Sequence, residues 1–347
     1  MNTLIDAEHL TKKFPVREGI LDKLRHDELS LTAVDDVNFE IQRGSVLGLV
    51  GESGCGKTTL GRLALGLTKP TSGKILFEGV DISQTKGDTA MNLRRRMQLI
   101  QQDPTASLNP RMKIGDAIGH GLKIHRLGSD DEIQDAVLRT MESVGLTPAK
   151  SIYNLYPRDL SGGMKQRVCI ARAIILKPDF IVADEPVAML DVSIRAMILS
   201  VLRKAKEELG LTYMFITHDL TTAYYLCDRI MVMYMGQVVE LGPAAAFFNR
   251  PQHPYALALL SSAKEGDPAL REKKIFVAKG EVPNPLDPPK GCRFHPRCLY
   301  ATEICKKEAP VLREVDAGLV VACHNYQQIQ GFAELPVEQG AQEMLQK

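Results

Sequence analysis

The stretch Gly51-Glu52-Ser53-Gly54-Cys55-Gly56-Lys57-Thr58 has the pattern G-x-x-x-x-G-K-T and decides the fold of this chain. A short apolar run at residues 45–50 precedes it, and helix-forming residues beginning near Leu60 follow it. A strand, a glycine-rich loop and a helix in this order are typical of a phosphate-binding P-loop. The glycines let successive backbone N–H groups point at an anion, and the helix adds the positive end of its dipole. The sequence therefore predicts a nucleoside triphosphate site.

Single residues of this loop have expected tasks. Lys57 can reach the β- and γ-phosphates, and the hydroxyl of Thr58 can ligate Mg²⁺. The thiol of Cys55 has two interpretations: a reactive group, because helix N-termini lower a thiol pKa, or a small residue that fits the turn. The loop residues predicted to contact the nucleotide are Ser53, Gly54, Cys55, Gly56, Lys57, Thr58 and Thr59.

The composition fits one large α/β domain with a smaller appendage. The chain has 347 residues, of which 44% are hydrophobic and 24% charged, enough for a substantial core. A net charge of +1 gives no indication of a nucleic-acid surface. No apolar run approaches the roughly 18 residues of a membrane-spanning helix, and residues 1–6 lack the features of a signal peptide. We therefore expect a cytosolic protein that would dock on membrane partners if it serves a membrane.

Strand and helix patterns alternate along the chain, and a helical stretch interrupts them. The predicted strands are 4–10, 34–41, 46–50, 74–77, 180–183, 212–217 and 229–234, and the predicted helices are 114–122, 132–144, 164–176, 193–209 and 220–227. Such alternation predicts a largely parallel, buried sheet. We divide the chain into a nucleotide-binding domain at 1–250, with a helical subdomain at about 104–165, a proline-rich and cysteine-containing extension at 251–330, and a tail at 331–347.

Two carboxylates, Asp184 and Glu185, follow the apolar run at residues 180–183. The carboxyl ends of the strands in an open α/β sheet form the edge where ligands bind, so both side chains are predicted to lie beside the P-loop. Asp184 can hold Mg²⁺ through water, and Glu185 can orient or deprotonate the attacking water. The alternative is an acidic strand end that caps the next element.

The stretch Leu160-Ser161-Gly162-Gly163-Met164-Lys165-Gln166-Arg167 opens the helix before this strand. Alone, Ser-Gly-Gly is an ordinary helix N-cap. Between a P-loop and an Asp-Glu strand, it resembles the LSGGQ signature of the ABC-type ATPase family. The resemblance implies an α/β P-loop NTPase core with a helical insert. It also implies two such domains closing on two ATP molecules, with Ser161, Gly162 and Gly163 contacting the partner's ATP.

Four further positions match that family. Gln102 matches the Q-loop glutamine, which contacts Mg²⁺ together with Thr58 and Asp184. His218 matches the switch histidine that contacts the γ-phosphate, and Leu190-Asp191 matches the end of the D-loop. Phe14 lies where the family has an aromatic side chain that stacks on adenine. Without the resemblance, Gln102 would be interpreted as a polar loop residue, His218 as a structural histidine and Phe14 as an aromatic residue of the core or of a sheet edge.

Two positions depart from the family pattern. The signature has Met164 where glutamine is usual, and the D-loop has Ala188 where serine is usual. Ala188 lacks a hydroxyl that could bond across the dimer interface, so coupling between the two ATP sites could differ. Neither change removes a group that touches phosphate, and we expect ATPase activity.

Four of the seven cysteines crowd the last third of the chain, at Cys292, Cys298, Cys305 and Cys323. In a cytosolic chain such a cluster indicates metal binding rather than disulfides. Four thiolates suit either tetrahedral Zn²⁺ or a [4Fe–4S] cluster. The segment 291–298, with 253–255 and the residues between Phe14 and Val34, resembles the peptide/nickel-type ABC importer ATPases. In that family these cysteines can carry an iron–sulfur cluster; zinc and free thiols are the alternatives.

The resemblance implies partners as well as chemistry. It implies two transmembrane permease subunits, a second homologous ATPase subunit or a second copy, and an extracytoplasmic solute-binding protein, with no nucleic acid. The chain would then lie at the cytoplasmic face of the cell membrane. Peptides, nickel or oligosaccharides are the implied cargoes. The competing hypotheses are an ABC ATPase acting on DNA or ribosomes and a redox-sensing regulator gated by the cluster.

Overall fold

The structure is a computed structural model that describes residues 2–16, 30–188, 190–264 and 278–329. Most of the insertion predicted between Phe14 and Val34 lies outside the described residues, as do Met189 of the predicted D-loop and the predicted tail at 331–347.

Strands and helices alternate along the described chain. The strands are β1 (Thr3–Pro15), β2 (Ser30–Gln42), β3 (Val46–Val50), β4 (Ser72–Phe77), β5 (Val80–Asp81), β6 (Met97–Ile100), β7 (Phe180–Asp184), β8 (Thr212–Thr217), β9 (Arg229–Tyr234), β10 (Gln237–Pro243), β11 (Arg313–Asp316) and β12 (Leu319–Val321). The helices are α1 (Lys57–Ala64), α2 (Gly87–Arg96), α3 (Pro104–Ser107), α4 (Ile114–Ile124), α5 (Asp130–Ser143), α6 (Ala149–Tyr153), α7 (Gly162–Ile174), α8 (Val192–Leu209), α9 (Leu220–Leu226), α10 (Ala244–Asn249), α11 (Pro254–Lys264) and α12 (Glu303–Lys307).

The main sheet has the strand order β11-β12-β10-β9-β3-β8-β7-β6. Strands β9, β3, β8, β7 and β6 run parallel, which confirms the predicted buried parallel sheet. Every residue of β3 and β8 is buried, as expected for strands covered on both faces. The register pairs Val50 with Thr217 and Asp184 with Ile216, so the ends of β3, β7 and β8 meet at one edge.

A second sheet, antiparallel and four-stranded, has the order β2-β1-β4-β5. The sequence patterns did not separate it from the parallel sheet. Strand β1 pairs antiparallel with β2 and with β4, and β4 pairs antiparallel with β5 across a tight turn, whereas parallel pairing needs a long crossover. Helix α1 packs between the two sheets, where Leu60 and Leu63 share one apolar cluster with Ile5 of β1 and Ile216 of β8.

The stretch that we predicted as a helical subdomain contains α3 to α6 and is followed by α7. A capping box fixes the start of α5, because Ser129 and Glu132 each bond the other's backbone N–H. Ile118, Val137 and Val168 are fully buried in the same cluster that covers one face of the main sheet. The subdomain is thus packed onto the core through apolar faces of α4, α5 and α7. No helix of the described residues is long and apolar enough to span a membrane.

The C-terminal extension is joined to the core by backbone pairing as well as by side chains. Strand β12 pairs with β10, with Glu240 opposite Val321, so the extension lengthens the main sheet. A small apolar cluster of its own contains Leu257, Val321, Cys323 and Ile329. Phe294 is buried in the main core. The extension therefore docks as part of the fold.

Candidate active site

The P-loop connects the buried end of β3 to α1, and its tight turns require glycine. Gly51 has φ +154°, and a Cβ there would lie 2.2 Å from the carbonyl oxygen of Met233. Gly56 has φ +108°, and a Cβ there would lie 2.1 Å from the carbonyl oxygen of Ala33. No side chain fits such contacts, so the neighbouring strands force the loop to curl tightly over the sheet edge.

Lys57, at the first position of α1, is held inside this loop. Its Nζ donates hydrogen bonds to the carbonyl oxygens of Gly51, at 2.7 Å, and Glu52, at 2.9 Å. The side chain of Cys55 is buried beneath the loop, and burial raises the pKa of its thiol. Of the two interpretations of Cys55, the structure therefore favours the small residue that fits the turn.

An oxygen-rich corner lies where β7 meets α1. Thr58 Oγ1 donates to Asp184 Oδ1 at 3.2 Å. Burial raises the pKa of the Asp184 carboxyl, and the hydrogen bond from Thr58 opposes that shift. A hydroxyl and a carboxylate side by side are hard oxygen ligands of the kind that Mg²⁺ prefers, so these residues fit the predicted metal site.

Glu185 follows Asp184 and is held from two sides. Its Oε2 accepts a hydrogen bond from Gln102 Nε2 at 2.9 Å, and its Oε1 lies 3.2 Å from His218 Nδ1. The backbone of Glu185 has φ +46°, an unusual left-handed conformation for a non-glycine residue, and its N–H donates to Ile216 of β8. Three residues distant in sequence thus meet around one carboxylate beside the P-loop.

These groups line one cavity of about 590 Å³ at the sheet edge. Phe14 lies at its rim, is 39% exposed and pairs in the β1–β2 register with Leu31, which also lines the cavity. The predicted site residues that line it are Phe14, Ser53, Gly54, Gly56, Lys57, Thr58, Thr59, Gln102, Glu185 and His218. The fold therefore brings these residues together at one cavity, whose lining does not include Cys55 and Asp184.

The signature and D-loop residues lie at the starts of other helices. Ser161 caps α7, where its Oγ accepts a hydrogen bond from the N–H of Met164 at 3.4 Å, and Gly162 and Gly163 form the first turn. Asp191 caps α8 by accepting from the N–H of Ile194 at 3.0 Å. Within a single chain these residues cap or begin helices. Their predicted contact with ATP would have to be made with the ATP of a partner domain.

One ion pair near the site was not predicted from the sequence. Arg195 Nη1 of α8 lies 2.6 Å from Asp219 Oδ2, and Asp219 directly follows His218 and caps α9. The pair links the helix after the D-loop to the turn that carries His218. Nothing in the sequence around Arg195 indicated that it would pair with Asp219.

The four cysteines of the extension are free thiols that lie near one another. Burial raises the pKa of Cys292, Cys298 and Cys323, and neighbouring thiols of the group add to each shift. Sulfur atoms accept local hydrogen bonds, from the N–H of Tyr300 to Cys298 and from the N–H of Asn325 to Cys323.

The predicted metal site at Cys292, Cys298, Cys305 and Cys323 is not supported by this geometry. Within the described ranges no group of three or more His, Cys, Asp or Glu side chains is placed to hold a metal ion. The sulfurs accept hydrogen bonds from neighbouring groups instead: Asn325 donates to both Cys305 and Cys323, and the N–H of Tyr300 donates to Cys298. Spacing along the chain indicated the thiol group but did not determine its geometry.

Comparison with known proteins agrees with the site. Residues 34–188 match the ABC transporter family, and residues 239–305 match the oligopeptide/dipeptide transporter C-terminal region. The chain is 43% identical to the dipeptide transport ATP-binding protein DppF of Haemophilus influenzae, over 92% of this chain and 96% of that protein. It is 42% identical to the oligopeptide transport ATP-binding protein AppF of Bacillus subtilis, over 93% of this chain and 98% of that protein.

Solved structures show the same core. The dimeric post-hydrolysis structure of the ATP-binding cassette MJ0796, bound to ADP and Pi, superposes with a TM-score of 0.61 at 27% identity, covering 70% of this chain and 99% of that one. A P-loop, Glu185 at the end of β7 and His218 around one cavity, together with these relatives, lead to a single conclusion. The chain belongs to the ABC transporter family and is one of its ATPase subunits, with the C-terminal region found in oligopeptide and dipeptide transporters.

Proposed function

We propose that this chain is the ATP-hydrolysing subunit that energises an ABC importer for peptides. The observation that carries the proposal is the position of Glu185, whose two oxygens face Gln102 and His218 beside Lys57 and Thr58. The relatives named for dipeptide and oligopeptide transport support a peptide cargo. Nickel and oligosaccharides are the alternative cargoes, since this subunit would not touch the cargo itself.

The site residues divide the chemistry among them. Lys57 and the loop amides bind phosphate, while Thr58, Asp184 and Gln102 supply oxygen ligands for Mg²⁺, which would neutralise phosphate charge. Glu185 accepts a proton from the attacking water, and His218 orients that carboxylate from the other side. Phe14 provides a flat apolar surface for adenine at the cavity rim.

Hydrolysis is proposed to need a second domain. Ser161 and Asp191 cap α7 and α8, Gly162 and Gly163 begin α7, and none of them lines the cavity at the P-loop. They would therefore act on the ATP of a partner, either a homologous subunit or a second copy. Moving a pair of domains from 1:99 to 99:1 closed takes about 5.5 kcal/mol of differential ATP affinity. Charge-assisted hydrogen bonds to the γ-phosphate, made only in the closed pair, can supply it. Hydrolysis removes them and the pair reopens.

Domain limits and partners follow from the same family membership. We propose a nucleotide-binding domain at 1–250, with its helical subdomain at about 104–165, and the transporter-type extension at 251–330. The partners would be two permease subunits and an extracytoplasmic solute-binding protein, and the chain would then lie at the cytoplasmic face of the membrane.

The test of this proposal is ATP-dependent pairing of Glu185→Gln. With MgATP this variant should form a stable closed pair, alone or with the ATPase subunit that co-purifies with the wild-type chain, while hydrolysis falls at least about 100-fold. Lys57→Ala is the matched control, which should neither bind ATP nor pair. Size-exclusion chromatography with light scattering measures pairing. If no ATP-dependent pair forms, either by the variant alone or with the co-purifying ATPase subunit, the mechanism is refuted. Salt-dependent DNA binding would favour the nucleic-acid alternative.

The four-cysteine site is a separate proposal with a separate test. What supports a shared metal is that the four thiols lie close enough to interact electrostatically, while the described geometry does not form a metal site. Metal analysis of protein purified without oxygen should find about four iron ions or one zinc ion per chain, lost in Cys298→Ser. If the wild-type protein contains no metal, the four cysteines are free thiols and the metal proposal is wrong.

A further inference from the structure

We propose that the C-terminal extension positions the P-loop lysine, through Arg297 and Tyr255, and thereby sets the affinity of the ATP site. Both residues act through Glu52, the second residue of the loop. This inference rests on the proposed ATP site at Lys57.

The first contact is a two-pronged ion pair. Arg297 Nη1 and Nη2 lie 2.9 and 3.0 Å from the two carboxylate oxygens of Glu52. The side chain of Arg297 is 10% exposed and that of Glu52 is 33% exposed, so the pair is partly removed from water. A forked guanidinium–carboxylate pair fixes orientation as well as distance. The side chain of Glu52 is therefore held in one direction, towards the extension.

The second contact holds the backbone of the same residue. The hydroxyl of Tyr255, in α11, accepts a hydrogen bond from the N–H of Glu52 at 2.7 Å. The ring of Tyr255 is buried and packs against Tyr234 and Phe294, with centroids 4.6 and 5.4 Å away. A tyrosine packed in this way has little freedom to follow the loop. Glu52 is thus anchored at its side chain and at its amide.

Glu52 passes this constraint to Lys57. The carbonyl oxygen of Glu52 accepts from Lys57 Nζ at 2.9 Å, next to the carbonyl of Gly51 at 2.7 Å. Rotation of the Glu52 backbone would move one of the two acceptors that direct the ammonium group. The chain of contacts from Arg297 and Tyr255 to Glu52 to Lys57 therefore couples the extension to a residue that binds phosphate.

A second arginine of the extension provides a matched control. Arg293 donates to Asp35 Oδ2 of β2 and to the carbonyl oxygen of Met235 in the turn between β9 and β10. Like Arg297 it joins the extension to the core with a carboxylate partner, and its side chain is 14% exposed. Its hydrogen bonds end on Asp35 and Met235, and the turn that carries Met235 bonds the P-loop at Cys55, through the N–H of Gly236, and not at Glu52. Arg293→Met therefore removes a docking contact of the same kind without touching Glu52.

The experiment compares full-length Arg297→Met and Arg293→Met. MgATP affinity is measured by equilibrium titration, and kcat and KM are measured in the assembly that hydrolyses ATP. Arg297→Met should weaken ATP binding about tenfold and raise KM to match, with kcat within about twofold, as expected for loss of a charge-assisted contact. Arg293→Met should leave ATP affinity within about twofold of the wild type. Equal losses in both variants, or no loss in Arg297→Met, would overturn the inference.

Further variants keep the test decisive if Arg297→Met does not fold. Tyr255→Phe removes only the hydroxyl and should weaken ATP binding about three- to tenfold. Glu52→Gln combined with Arg297→Met should be no worse than either single variant, because both remove the same contact. Arg297→Lys should recover part of the affinity. Independent, additive losses would contradict the coupling.

The failure of this inference is distinct from failure of the proposed function. If Lys57→Ala abolishes ATP binding while Arg297→Met and Tyr255→Phe bind like the wild type, the ATP site stands and the coupling is wrong. If Lys57→Ala binds ATP normally, the proposed site itself is wrong.

Discussion

The buried carboxyl of Glu240 should make the stability of the chain fall as the pH rises. Glu240 lies in β10, opposite Val321 of the extension, and is 1% exposed. Its Oε2 accepts hydrogen bonds from the N–H groups of Gln252, at 3.0 Å, and His253, at 2.7 Å. Its Oε1 has no partner among the described residues. Burial raises the pKa of this carboxyl from 4.5 to about 8.

The sign and size of the effect follow from linkage. A carboxyl whose pKa is raised on folding favours the folded state when it is protonated. The stabilisation is complete below pH 4.5 and is lost as the pH rises to about 8. At about 1.36 kcal/mol per pKa unit, the loss over that interval is at most roughly 5 kcal/mol. Glu240→Gln keeps an oxygen for both N–H groups and carries no titrating proton, so it should escape this loss.

The assay is thermal unfolding of nucleotide-free protein from pH 5 to 9. Relative to Glu240→Gln, the Tm of the wild type should fall by several degrees, at most roughly 7 °C, between pH 5 and 9. His253 is buried with its pKa lowered to about 3, so it stays neutral in the folded state, and its titration in the unfolded chain is common to both proteins and cancels in the comparison. The control is Glu303→Gln in α12, since the Glu303 side chain is 73% exposed, and it should follow the wild type. A Tm difference between Glu240→Gln and wild type that does not change with pH would refute the reasoning.

Three other substitutions test the site and the core. Gly56→Ala should abolish ATP binding in a titration, since its Cβ would lie 2.1 Å from a backbone carbonyl of β2; normal binding would contradict the loop geometry. Arg195→Met, which removes the ion pair to Asp219, should lower kcat about tenfold with KM for ATP within about twofold, and an unchanged kcat would show that the pair does not position His218. Gly61→Ala should lower the free energy of unfolding by about 1–3 kcal/mol, because its Cβ would lie 2.8 Å from a side chain of β8; denaturant titration checks it, and an unchanged midpoint would contradict the tight packing of α1.

Local sequence patterns were sufficient for the nucleotide core. The predicted limits of β3, β8 and β9 agree with the structure residue for residue, since strands buried on both faces are continuous apolar runs that end at polar turns. Helix limits differ by a few residues where a cap decides them: α7 begins at Gly162, two residues before its prediction, because Ser161 caps it. The P-loop and the Asp184–Glu185 pair were predictable because strand ends in a parallel sheet meet at one edge.

Contacts between distant segments were beyond such patterns. Glu52 and Arg297 are 245 positions apart, and each has an ordinary sequence environment for an exposed charge. Local periodicity predicts that a segment is a strand but not which strand it pairs with. The sequence therefore did not predict the pairing of β10 with β12 or the separate antiparallel sheet. The cysteine spacing likewise indicated four thiols in one region but did not determine their geometry.

The amino-acid sequence by itself determined the phosphate-binding loop, the two carboxylates and the alternation that builds the parallel sheet. These features depend on residues close together in the chain and on the fixed period of strands and helices. Only the tertiary structure decided that Gln102 and His218 hold Glu185 from opposite sides, and that the extension reaches the P-loop through Arg297. Side-chain contacts of this kind form when packing brings separate elements within hydrogen-bond distance, and nothing in the order of residues measures that distance.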